Sequence, residues 1–505
     1  MLFNSYLFIL VFLPITLGIY LLLIRQGWRK QSFDWLVLAS IFFYGWWRWT
    51  NVPLLIGSLL FNYTVGTWLG KIPPGRRAKA LLIAGLTGNL VFLGYFKYAN
   101  FFIDNANNLF GLGWTFTHLV LPLGISFITF QKIAYLVDSY KGLTRGYGFR
   151  DFCLFVSFFP QLIAGPIVHH SELMPQFRRK DSEPTWEDFG VGVTLFVLGL
   201  AKKVLIADPF ATFANPVFNA ARNGTDPGFA VAWIGTLAYT MQIYFDFSGY
   251  TDMAIGLGRM FGIRLPLNFN SPYKAVNIAD FWHRWHMTLS RFLRDYLYFQ
   301  LGGNRKGPTR RYVNLILTML LGGLWHGAGW TFVAWGALHG FYLSMYHGWH
   351  DWRGTKGQNK PAPTTAGLWT GRVVTFLAVI LGWVFFRAES FSAATRVLGG
   401  MIGLHGFSFQ TGGLTLNLTE ATKMVVVFLV VVWVFPNSHE ILASHEPALE
   451  YARDPSKVGL APTPRWLGRW LTWQPNLLWA LLLAALMVAG VLNLSRPSDF
   501  IYWQF

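Results

Sequence analysis

Residues 313–330 read VNLILTMLLGGLWHGAGW, and this stretch decides the fold. It is close to the ~20 residues that a bilayer crossing requires, and His326 is the one ionisable side chain in it. An ionisable group at membrane depth is costly enough to be a functional hypothesis by default. Gly322, Gly323, Gly327, Ala328 and Gly329 strip the bulk from around it. Glycines here serve either close helix packing or the close approach of a ligand to backbone and imidazole. The following run, 331–347, is again apolar and carries His339 in WGALHG, read as a packing or supporting residue.

Working outward, similar runs recur at 5–24, 33–47, 53–70, 80–97, 118–137, 152–168, 189–206, 228–250, 371–387, 422–436 and 476–494. The run 152–168 carries Pro160 and Gly165 and reads as a re-entrant element as readily as a crossing. The spacing therefore predicts an all-α, polytopic membrane protein with residues 1–505 forming one embedded unit. The composition agrees. Of 505 residues, 53% are hydrophobic and only 13% charged, about half the charge of an ordinary soluble chain. Leu7 to Ile24 ends at Arg25 without a small-residue cleavage site, so it reads as a retained span rather than a leader.

The net charge of +18 raises the question of a nucleic-acid partner. Its distribution answers against one. The bases sit in short loops at 25–30, 71–79 and 141–150, and again at Arg178, Arg179 and Lys180. Retention of cationic loops in the cytoplasm explains that pattern and places the N-terminus outside. Cys153 is the single cysteine, which excludes an intramolecular disulfide.

Three regions break the membrane texture. Residues 173–188 are polar and proline-punctuated, a surface loop. Residues 351–366 read as a linker. Residues 259–311 hold ten bases (Arg259, Arg264, Lys274, Arg284, Arg291, Arg294, Arg305, Lys306, Arg310 and Arg311) against Asp280 and Asp295, with no long apolar run. Asn277 reads as a helix cap, followed by FWHRWHMTLSRFLRDYLYFQ at 281–300. Phe281, Trp285, Leu289, Phe292 and Tyr296 recur at helical spacing as one apolar stripe. A single helix of this kind suits a membrane surface or a packed interface. Its bases then contact lipid headgroups or, on a sharper reading, the phosphates of a nucleotide-bearing cofactor. His283 and His286 have the spacing of a metal pair, but no acidic third ligand accompanies them and no metal is expected. A buried imidazole at His326 suits proton abstraction from a hydroxyl, because its ordinary pKa lies near the operating pH. Asp246 and Asp252 in DFSGYTD read as structural or pathway acids.

SPYKAVNIADFWHRWHMTLSRFLRDYLY, LGGNRKG and MLLGGLWHGAGWTFVAWGALHG together resemble the membrane-bound O-acyltransferase family. More narrowly, they are similar to its bacterial branch containing alginate O-acetyltransferase and the D-alanyl transfer protein of teichoic acids. FPQLIAGPIVHH (159–170), YFDFSGYTDMAIGLG (244–258) and VFFRAES (384–390) extend the likeness over most of the chain. The resemblance implies a ring of about a dozen helices around a central funnel, in a bacterial inner membrane. It implies His326 as catalytic histidine, acting as general base or as transient acyl carrier, and His286 as a second functional histidine. It also implies acetyl-coenzyme A as a donor entering from the cytoplasm, and extracytoplasmic acetyltransferases as partners in modifying an exopolysaccharide such as alginate. Lys274, Arg284, Arg291, Arg294 and Arg305 are then candidates for the donor's phosphates. One departure is His283, where the family pattern FWRRWH has Arg. The rival readings are the same chemistry on cellulose or peptidoglycan, and a non-catalytic transporter with His326 as proton relay. A transporter more often shows paired broken-helix repeats, and the sequence has no internal repeat. Neither a G-x-S-x-G elbow nor a phosphate-binding loop is present.

Overall fold

The computed structural model describes residues 1–115, 120–178, 183–354, 364–409, 413–453, 458, 465–495 and 501. Arg179, Lys180 and most of the 351–366 linker lie outside the described residues. Among the described residues every regular element is helical. Five helical runs are long and apolar enough to cross a membrane: Phe8–Arg25, Trp49–Lys71, Arg76–Phe110, Trp186–Arg222 and Thr365–Arg387. The chain is thus an all-helical, multi-pass membrane protein. It divides into two compact units, Met1–Gly199 with Tyr250–Pro266 and Ser444–Arg453, and Leu200–Gly249 with Leu267–Ala443 and Asp454–Phe505.

In the first unit, phenylalanines supply the core: Phe3, Phe8, Phe43, Phe159 and Phe261 are all fully buried. Some buried polar side chains pair with one another. Asn62 and Asn89 exchange amide hydrogen bonds at 3.1 and 2.7 Å, and Asp138 meets His170 Nδ1 at 2.9 Å. The run at 152–168 is no crossing. It folds as two short helices, Phe149–Ser157 and Phe159–Leu162, with Pro160 in the first turn of the second. The broken backbone is satisfied from the side: Ser40 Oγ accepts from Phe159 N at 3.1 Å, and Gln161 Nε2 donates to Phe155 O at 2.5 Å.

The second unit contains a helical hairpin, Gly307–His326 and Trp330–Trp352. Glycine sets its spacing. A Cβ on Gly323 would stand 2.2 Å from Phe332 O, and one on Gly336 would stand 2.3 Å from Met319 O. The two helices therefore touch backbone to backbone. Of the two roles open to these glycines, packing holds at Gly323. At the far end of the hairpin Arg311 Nη1 bonds Asp351 Oδ2 at 3.1 Å, and Tyr312 Oη donates to the same oxygen at 3.0 Å. Elsewhere in this unit Lys203 Nζ lies 2.7 Å from both Asp208 Oδ1 and Asp246 Oδ1. Asp246 Oδ2 also accepts from Ile501 N at 3.0 Å. Its carboxylate is thus part of a compensated ion cluster, as a buried charge must be.

Candidate active site

His326 is the last residue of its helix and is 2% exposed. Aromatic rings fix it on three sides, with centroids at 4.9 Å (Trp325), 5.1 Å (Trp335) and 5.2 Å (Phe386). All three stand edge to face against it, the geometry favoured by the ring quadrupoles. Phe386 belongs to Thr365–Arg387, and its place in VFFRAES gave no sign that it would face the histidine.

His286 comes to the same place by a route the periodicity hides. The single helix expected over 281–300 does not form. Ile278–Arg284 is one helix, Met287–Leu293 a second, and Arg294–Tyr298 a π-turn. Between them Trp285 is extended (φ −98°, ψ 126°) and His286 is left-handed (φ 43°, ψ 52°). A non-glycine residue in that region is held there by its surroundings. The holding bonds come from the segment before: Asn270 N donates to Arg284 O at 2.9 Å, and Met287 N donates to Asn268 O at 2.9 Å. Asn277 caps the first helix as expected, accepting from Asp280 N at 2.8 Å. The apolar stripe survives the break, since Phe281, Trp285, Leu289 and Phe292 are all buried.

The break turns His286 inward to zero exposure. Its ring centroid lies 6.4 Å from that of His326. The rings are too far apart to hydrogen-bond each other directly. His283, on the preceding turn, remains exposed.

The tautomer of His286 follows from its partner. Asn268 Oδ1 accepts from Thr288 N at 3.3 Å and from Thr288 Oγ1 at 2.9 Å, so this atom is the amide oxygen. It also lies 3.0 Å from His286 Nδ1. An oxygen cannot donate, so Nδ1 carries the proton and the lone pair of the neutral ring is on Nε2. Asn268 went unnoticed in the sequence, where nothing in LPLNFN marks it out.

The five candidate bases divide. Lys274 is buried, with Nζ donating to Phe435 O at 2.8 Å. Arg284 is half-buried, bonding Asp280 Oδ1 at 2.8 Å and Asn270 O at 3.3 Å. Burial, the largest cause, pushes the Lys274 ammonium down to about 8; Glu440 opposes this, and the charges of Arg372 and Arg284 add to it. Lys274, Arg284 and Arg372 therefore share one neighbourhood, and Arg372 is a base the sequence reading did not select. Arg291 is half-buried, while Arg294 and Arg305 are exposed, Arg294 pairing with its neighbour Asp295 at 2.7 Å. Among the described residues no group of three or more His, Cys, Asp or Glu is placed to hold a metal ion.

Lys274 gives a stability test. Its native pKa lies below the ~10.4 of an unfolded lysine. Between pH 8 and that value the unfolded chain binds more protons, so this group makes stability rise with pH. In Lys274→Met that part of the rise disappears. The check is the melting temperature of both proteins at pH 7.5, 8.5 and 9.5; parallel curves would show that the ammonium is not desolvated.

The sequence has known relatives. Residues 138–386, which include both histidines, match the model of the membrane-bound O-acyltransferase family. The chain is 46% identical to a peptidoglycan O-acetyltransferase of Helicobacter pylori, over 81% of each chain. It is 41% identical to a probable alginate O-acetylase of Pseudomonas aeruginosa over the whole of both. A teichoic acid D-alanyltransferase of Bacillus subtilis is 28% identical over 54% of this chain and 70% of its own.

Proposed function

Since the chain belongs to the membrane-bound O-acyltransferase family, we propose that it passes acetyl groups from a cytoplasmic thioester, acetyl-coenzyme A, to a cell-surface polysaccharide. The site is a bacterial inner membrane, and extracytoplasmic acetyltransferases are its partners in delivery. The relatives act, by their names, on alginate and peptidoglycan, and alginate is the acceptor assigned here because the likeness to the alginate enzymes spans the full chain. The observation that carries the reading is a buried histidine at the end of a glycine-packed hairpin, with a second histidine ring 6.4 Å away on a strained turn.

In this mechanism an acceptor hydroxyl approaches His326. A ring nitrogen of His326 takes its proton as the oxygen attacks the thioester carbonyl carbon. The C–O bond forms, the C–S bond breaks, and the proton passes to the departing thiolate. His286 presents the Nε2 lone pair, so in its neutral form it positions a hydroxyl or accepts a proton. Donation to the thioester carbonyl would require the charged ring. The basic group of Lys274, Arg284 and Arg372, with Arg291, Arg294 and Arg305 nearer the surface, supplies attraction for the donor's phosphates. The resemblance brings no permanently bound cofactor.

Asn268→Leu tests the arrangement of His286. It removes the oxygen that accepts from His286 Nδ1–H and from Thr288, so transfer falls by about 10- to 100-fold, in kcat more than in KM. Asn268→Asp keeps the oxygen and keeps more of the rate. Equal rates in wild type and Asn268→Leu would remove His286 from the mechanism.

The function itself is tested by following radiolabelled acetyl-coenzyme A in membranes, with the partner proteins present and with alginate, cellulose or peptidoglycan as acceptor. Label on alginate is the expected result, and label on another glycan changes the acceptor. Substrate translocation without any acyl transfer favours the transporter reading.

A further inference from the structure

Four buried side chains of the second unit carry nitrogens that have no hydrogen-bond partner among the described residues. They are His339, at both ring nitrogens, and the indole N–H groups of Trp282, Trp335 and Trp383. They form one contact cluster. Ring centroids are 4.8 Å apart for Trp335 and His339, 5.3 Å for Trp282 and His339, and 6.1 Å for Trp335 and Trp383. His339 and Trp383 have no exposed surface, and Trp335 has 1%. On the neighbouring helix, the Gly382 backbone packs closely against His339, since an added Cβ would come within 2.9 Å of Nε2.

Packing alone does not account for this. A buried N–H without an acceptor costs stability, and a phenyl ring in place of the imidazole would fill the same space without that cost. One such group is unremarkable in a large protein, but four in mutual contact call for a partner that supplies acceptors. The cluster also has a position. Trp335 touches His339 on one side and stacks edge-on against His326 on the other. His339 lies about 14 Å along the return helix from Trp330. It therefore stands between His326 and the hairpin end where Arg311 bonds Asp351.

We propose that this indole and imidazole cage binds the thioester-bearing arm of the acyl donor on its way to His326. The ring faces hold the methylene groups, and the N–H groups donate to the arm's amide and thioester carbonyls. No bond is made or broken at His339, which is a binding residue. The proposal rests on the thioester-donor reading above.

The test uses the full chain, purified in lipid nanodiscs, with radiolabelled acetyl-coenzyme A as probe. His339→Phe keeps the ring and removes both nitrogens. It is expected to raise the Kd for acetyl-coenzyme A by about tenfold while the melting temperature of the unliganded protein stays the same or rises. His339→Gln, which restores an N–H, is expected to recover most of the affinity. A Kd for His339→Phe within twofold of wild type overturns the cage. If His339→Phe binds weakly and also melts lower, His339→Gln decides: near-normal Kd supports the cage, and a Kd as poor as that of the Phe variant overturns it. Wild-type protein without saturable binding of acetyl-coenzyme A overturns the donor reading and the cage with it. Wild-type binding left intact in His339→Phe overturns the cage alone.

Discussion

His326→Ala loses at least about 10³-fold in acetyl transfer while the protein remains folded and membrane-inserted. The expectation follows from position. The imidazole sits at a helix terminus, is 2% exposed and is wedged among Trp325, Trp335 and Phe386. General-base catalysis contributes roughly 10²- to 10⁴-fold, and a methyl group offers no replacement for the proton acceptor. Removing the ring also leaves a cavity that loosens the three aromatic contacts, so the melting temperature falls. His326→Gln separates the two effects, because it fills more of the space without supplying a base. Both variants are to be assayed in membranes at matched protein level, with initial rates from labelled acetyl-coenzyme A. Wild-type rates in either variant would refute the assignment of His326 as base.

Gly323→Ala lowers activity by on the order of 10²-fold, by a different route. The added Cβ would stand 2.2 Å from Phe332 O and close to Gly336, and backbone on both sides leaves nothing flexible to yield. The two helices must separate, and overpacking of this kind costs about 1–3 kcal/mol or more. His326 is three residues beyond Gly323, on the next turn. Its displacement by even about 1 Å is expected to cost on the order of 10²-fold in rate. Gly329→Ala is the control, since a Cβ there meets only the edge of Phe332 at 3.5 Å. Melting temperature and rate should fall together in Gly323→Ala and hold in Gly329→Ala. A Gly323→Ala protein that melts and reacts like wild type would mean that the hairpin is not locked by this contact.

Much of this arrangement was legible in the sequence, for a physical reason. Apolar runs near bilayer length report helices directly, and the Pro160 and Gly165 interruption reported the break into two short helices. His326 was visible because it is the single ionisable group in its run. The break at Trp285 and His286 was not visible. Both residues fit the helical stripe, and periodicity records which face is apolar, not whether the backbone reverses. What forces the reversal lies in Asn268 and Asn270, whose bonds to Met287 and Arg284 no local pattern announces. Lys274 shows the same limit. Read as a surface base, it is buried because its acceptor, Phe435 O, lies 161 residues away. Arg372 escaped selection for the same reason: its neighbours Lys274 and Arg284 come from a distant part of the chain.

The hairpin that carries His326 is fastened at both ends, by glycine contacts near the histidine and by the Arg311–Asp351 bond at the other. A lever clamped in this way does not swing, so the histidine is a fixed station and its reactants do the travelling. Fifteen residues of helix separate Arg311 from His326, roughly 22 Å of rise. Under the donor reading proposed above, that rise would act as a ruler, which a long-armed thioester spans and a short one of identical chemistry does not.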